Sequence, residues 1–159
     1  MPISRRRSGR WAWLALGSWT VVVWILGGDH FGHSETSRIL GPLYEWLLPH
    51  LGPEQRAQWL SWTRLGAHPA VYALEAGLAW RAFGFSFPRW GPLRRAGITL
   101  ATLALLAGSD EIRQTFSSVR TGSPTGVGLD MLGGLVMVAG LLVWSRRAGG
   151  FAQTAPKQI

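Results

Sequence analysis

Four stretches of the chain are apolar and poor in charge, each about the twenty residues that a helix needs to cross a hydrocarbon core. They cover residues 11–28, 65–85, 96–115 and 127–145. The first is uncharged from Trp11 until Gly27-Gly28-Asp29 ends it. It is longer than the apolar part of a secretory signal, and Asp29-His30-Phe31 is no small-residue cleavage site, so an uncleaved anchor helix is expected. The second and third contain polar residues, among them Glu75 and Asp110. The pattern predicts an all-α polytopic membrane protein with about four transmembrane helices.

The connection between the first two stretches is too long for a turn and has its own periodicity. From Ser37 to Leu48, Leu40, Leu43, Tyr44, Leu47 and Leu48 recur near helical spacing, with Gly41-Pro42 interrupting. Pro53-Glu54-Gln55 opens a second short helix carrying Trp59, Leu60 and Trp62. This helical first extracytoplasmic loop either lies in the membrane interface or caps the outer ends of the bundle.

Charge placement supplies the orientation. The chain has sixteen Lys+Arg against eight Asp+Glu, and Lys157 is its one lysine. Three segments are basic without an acid: the arm of residues 1–10, the connection around Arg81, Arg89, Arg94 and Arg95, and the end with Arg146, Arg147 and Lys157. The other two connections mix both signs. Basic segments on alternate sides are what a four-span chain with both termini in the cytoplasm requires. Residues 1–10 therefore read as a basic cytoplasmic arm, 11–148 as the membrane domain and 149–159 as a disordered cytoplasmic tail. Cations clustered beside apolar runs argue against nucleic acid as a partner. Several of the ten tryptophans flank those runs (Trp11, Trp13, Trp90, Trp144), as rings at headgroup level do.

With no cysteine, disulfides and thiol chemistry are excluded. His30, His33 and His50 lack ligand spacing, so no metal and no cofactor are expected. No serine triad and no phosphate loop is recognisable. The informative residues are ionisable groups at membrane depth, which cost roughly 2.5–3.5 kcal/mol each on insertion and so face a bundle interior or water. His68, Tyr72 and Glu75 follow i, i+4, i+7 on one stripe, with Arg64 one turn earlier. Asp110 and Gln114 are i, i+4, and Glu111 and Gln114 are i, i+3. Asp130 precedes Gly133 and Gly134, which let a neighbouring helix come close. The orientation gathers all of these, with Arg120, under the outer leaflet. They can pair among themselves: Arg113 or Arg120 with an acid, His68 with Tyr72 or Glu75.

At these residues the sequence resembles the VanZ-like family of small membrane proteins. The carrying segment runs from Asp110-Glu111 through Gln114, Phe116, Arg120 and Gly122-Ser123 to Asp130 and Gly133, and an earlier element matches Arg64, His68 and Tyr72. The likeness extends from about Arg64 to Leu141. The chain departs from it at Gly126, where relatives often have an acid, at Pro69, where an aromatic is usual, and at Glu75, where an apolar residue is typical. The resemblance implies a multi-pass protein of the bacterial cytoplasmic membrane, acting at the cell envelope, in a family named for low-level teicoplanin resistance. The ligand-binding candidates are Arg64, His68, Tyr72, Asp110, Glu111, Gln114, Arg120 and Asp130. The expected partner is a membrane lipid, a lipid-linked envelope precursor or a lipoglycopeptide. A membrane enzyme would instead use Glu111 or Asp130 as general base with His68 as its partner. A purely structural partner of another envelope protein is the third reading.

Overall fold

The computed structural model describes residues 3–28, 33–117 and 124–153. Among them the chain is all helical: α1 (Ile3–Leu26), α2 (His33–Leu47), α3 (Pro53–Ser86), α4 (Pro92–Thr115) and α5 (Pro124–Gln153). The three helices α1, α4 and α5 contain three of the expected apolar stretches. The second stretch lies in α3, and there the helix is longer than anticipated. The short helix expected at Pro53 does start there, capped by Gly52, whose amide donates to Gln55 Oε1 at 3.0 Å. It does not stop before residue 65 but runs on through Pro69 to Ser86. At 1.5 Å per residue these 34 residues measure about 50 Å, more than a hydrocarbon core. Helix α2 passes through Pro42 without ending. Residues 3–10 form the first turns of α1, and α5 extends to Gln153.

Helix α3 is the hub. Helix α1 runs antiparallel to it: Trp13 Nε1 donates to Ser86 Oγ at 2.7 Å near one end, and Trp19 Nε1 donates to the Val71 carbonyl at 3.2 Å further along. This contact is close because the facing residues are small. Ala76, Ala79 and Ala82 are fully buried, and Ala12 and Leu16 pack against the last two. Where lipid surrounds a bundle, dispersion between well-fitted surfaces replaces the hydrophobic drive, and small residues are what permit that fit. Helix α5 runs parallel to α3. A Cβ on Gly133 would overlap the Pro69 backbone, so the two main chains touch there, while a Cβ on Gly134 would overlap only the tip of Leu103 from α4. Val23, Tyr72, Trp80, Leu103 and Val138 join the four helices in one core.

Outward faces are apolar. On α1, Trp11, Leu14, Val21 and Ile25 are exposed, as are Leu132, Val136, Val143 and Trp144 on α5. Arg7–Leu26 and Thr125–Arg147 are the two described segments long and apolar enough to cross a membrane. Helix α3 falls short because Glu75 and Arg81 interrupt its apolar run. Helix α4 does so because Arg94 and Arg95 at one end and Asp110, Glu111 and Arg113 at the other leave too short an uncharged stretch between them.

Helix α2 leans on the first turns of α3. The hydroxyls of Tyr44 and Thr63 share a hydrogen bond, and Arg56 Nη1 lies 3.8 Å from Glu45 Oε1. The opposite face of α2 exposes Ile39, Leu43, Trp46 and Leu47, spaced for one helical stripe.

A cavity between four helices

The close approach at Gly133 decides where the neighbouring side chains meet. Asp130 sits one turn before Gly133 on α5, and His68 immediately precedes Pro69 on α3. With the two backbones in contact, the short aspartate reaches the ring: His68 Nδ1 and Asp130 Oδ1 are 3.1 Å apart. An ionised carboxylate only accepts, so Nδ1 carries the hydrogen and Nε2 is the nitrogen presented to a ligand. The pair is asymmetric in exposure, with 44% of the His68 side chain accessible against 6% for Asp130. Of the partners expected for His68, this is one of the two named for an enzyme and not Tyr72 or Glu75 on its own helix.

Asp110 closes the site from α4. Its Oδ1 accepts from Arg113 Nη2 at 2.5 Å and its Oδ2 from Gln114 Nε2 at 2.8 Å. The Arg113 guanidinium lies 4.3 Å from the centre of the Trp24 ring on α1. It stands at the carboxyl end of that helix, where the peptide dipoles favour a cation. Gly27 makes this junction possible, because a Cβ there would overlap the Asp110 carboxylate and crowd Arg113. Arg113, expected only as one possible partner of the acids, is thus the residue that holds Asp110. Trp24 and Gly27 were not legible as site residues. The paired glycines at the end of the first helix were the available signal, and they read as a terminator.

Between these two pairs lies a half-open cavity of about 200 Å³. Arg64, His68, Tyr72, Asp110 and Asp130 form its polar wall, and Val23, Leu26, Ala67 and Val71 form the apolar one. A second cavity of about 300 Å³ lies on the other side of Arg64 and His68, reaching Thr125, Gly126 and Leu129 of α5. Both residues therefore stand between two openings.

Five of the eight ligand-binding candidates line the first cavity. Gln114 supports it through Asp110. Glu111 is turned towards the first helical turn of α5: a Cβ on Gly126 would lie 3.0 Å from its Oε2. A carboxylate is favoured there by the dipole, and it fills space that a side chain at position 126 would need. That is a physical reason for glycine at position 126. Arg120 lies outside the described residues. Glu75 belongs to the same stripe as His68 and Tyr72 but sits deeper, 1% exposed, with Oε1 accepting from the Thr20 hydroxyl at 2.7 Å. It holds α1 to α3 rather than lining the cavity.

Chemically, the arrangement offers a fixed imidazole, an arginine and an apolar wall at one mouth. Among the described residues no group of three His, Cys, Asp or Glu side chains is placed to hold a metal ion. Comparison with protein-family models, with curated proteins and with solved structures finds no match to the chain.

Proposed function

We propose that the chain is a four-span protein of the bacterial cytoplasmic membrane, with both termini cytoplasmic, whose outer-leaflet cavity binds the headgroup and adjoining tail of an anionic amphiphile. The observation that carries this reading is the cavity's split lining. Arg64 offers donors to an anionic group, while Val23, Leu26 and Val71 offer an apolar surface to whatever is attached to it. Helices α3 and α4 serve as the two further spans. Their membrane-depth acids Glu75 and Asp110 are buried inside the bundle, whereas Leu74 and Leu105 point outward. The likeness to VanZ-like proteins supports an envelope amphiphile of the lipid-headgroup or lipoglycopeptide kind, and a contribution to teicoplanin-type resistance.

The topology is directly testable because the natural chain contains no cysteine. In intact cells, an impermeant thiol reagent is expected to label a Thr115→Cys variant and to spare Arg89→Cys until the membrane is opened. The reverse pattern removes the outer-leaflet site. Binding is tested with teicoplanin and proteoliposomes of phosphatidylethanolamine carrying the full chain. An Arg64→Ala variant of equal abundance is expected to bind roughly tenfold less, the worth of a hydrogen bond to a charged group. Unchanged binding and unchanged susceptibility of the host would sink the reading.

One observation favours a second reading, an enzyme acting on a lipid-linked envelope substrate. His68, paired with Asp130 through Nδ1, lines both cavities, where an imidazole can take a proton from water or a hydroxyl. Purified protein that leaves lipid-linked precursors unchanged by mass spectrometry would dispose of it.

A further inference from the structure

The opposite end of the bundle has a different chemistry. Helices α1 and α4 begin there and α3 and α5 end there, which brings together Arg7, Arg10, Arg81, Arg94, Arg95 and Arg146. No Asp or Glu occurs in the turn between α3 and α4 or in the first turn of either helix that starts at this end. Among the described residues none of these arginines forms an ion pair.

Instead, aromatic rings hold several of them. Arg94 lies 4.5 Å from the centre of the Trp90 ring, Arg95 lies 5.2 Å from that of Trp80, and Arg81 lies 5.9 Å from that of Phe85. Trp90 is itself stacked on Phe87, with ring centres 4.0 Å apart. A ring face orients a guanidinium without neutralising it, so the positive charge stays available.

Arg94 and Arg95 also oppose the dipole of their own helix. Positive charge in the first turn of α4 faces the positive end of the macrodipole, and Gly91 provides no side-chain cap. Pro92 has no amide hydrogen, and the amides of Leu93 and Arg94 lack intrahelical acceptors. An external anion relieves every one of these conflicts. Its source is indicated by what lies between the arginines: Trp11, Phe87, Leu93 and Trp144 are all exposed at the same end. Large apolar side chains interleaved with arginine suit a bilayer's headgroup boundary and would be a liability against a polyanion in water.

We propose that this acid-free end, centred on Arg94 and Arg95 at the start of α4, is a binding site for the phosphate headgroup of an anionic phospholipid. The site is separate from the cavity containing Arg64 and His68, and it does not depend on what that cavity binds.

The test uses the full chain in detergent with an equimolar mixture of dioleoyl phosphatidylglycerol and dioleoyl phosphatidylethanolamine. Lipid retained by the protein is read by native mass spectrometry. Wild type is expected to retain phosphatidylglycerol in preference. An Arg94→Gln/Arg95→Gln variant is expected to lose roughly 30-fold of that preference, the product of two arginines near a charged surface. The Arg94→Lys/Arg95→Lys variant, which keeps the charge, is expected to retain most of it and so separates binding from folding. Arg64→Ala is expected to leave the preference unchanged, whatever its effect on teicoplanin. Equal retention of both lipids by wild type, or an undiminished preference in the glutamine variant, would overturn the site. So would salt-sensitive binding of a short single-stranded RNA that displaces phosphatidylglycerol.

Discussion

Replacing Gly133 by alanine is expected to be the most destabilising small substitution in the bundle. The added methyl group would overlap the carbonyl and Cα of Pro69, both of them backbone atoms of the central helix. A flexible side chain can turn away from such a clash, but a helix backbone has to move as a whole. The expected cost is about 3 kcal/mol or more, the upper part of what overpacking does. Unfolding of the purified protein in mixed detergent, followed by circular dichroism, measures it. Two neighbours calibrate the result. Gly134→Ala meets only the end of Leu103, which can change rotamer, so roughly 1 kcal/mol is expected. Gly140→Ala meets nothing within 4 Å and is expected to be neutral, or stabilising by up to about 1 kcal/mol through helix propensity. If all three variants unfold alike, α3 and α5 are not in backbone contact at Gly133.

The same contact marks the boundary of what the sequence discloses. Apolar stretches and arginine bias predict the helices and which termini share an end, because both signals are local or additive along the chain. The Asp110–Arg113 pair is also within reach of sequence reasoning, since residues three apart on a helix are neighbours. The partner of His68 is legible only as one of several open alternatives, Tyr72 or Glu75 for a structural pair and Glu111 or Asp130 for an enzyme. Tyr72 and Glu75 lie on its own stripe, yet the ring meets Asp130, and that choice depends on how closely two helices approach. Gly133-Gly134 signals a close approach without saying to what. Helix α3 escapes a different way. Residues 53–64 are rich in tryptophan and charge, so they do not continue the apolar run, but a helix needs only a tolerable backbone, and Pro69 is accommodated where the chain already meets glycine. Gly27 is the plainest loss. A glycine that ends a helix and a glycine that admits a carboxylate look identical until the carboxylate is placed.

Removing the Asp110 carboxylate is the second large effect to expect. Asp110→Ala strips Arg113 of its counter-charge and Gln114 of its acceptor at once, while Trp24 continues to hold the guanidinium in place. A cation left behind in a bundle costs more than the lost pair itself contributed. Because 31% of the Arg113 side chain is accessible, the expected loss is about 2–3 kcal/mol, below the range for fully buried pairs. The diagnostic measurement is the double variant. Asp110→Ala/Arg113→Met removes both charges and leaves an apolar side chain against Trp24, so it is expected to recover more than half of the single variant's loss in the same unfolding assay. Asp110→Asn, which keeps an acceptor for one of the two donors, is expected to fall between wild type and Asp110→Ala. These three variants separate a structural clamp from a ligand contact. A clamp makes the double variant stable with the cavity still formed, and teicoplanin binding then reports on Arg64 and His68 alone. Should the double variant be no more stable than Asp110→Ala, the pair with Arg113 does not fasten α1 to α4, and the shape of the cavity must be maintained by the close packing of α3 against α5.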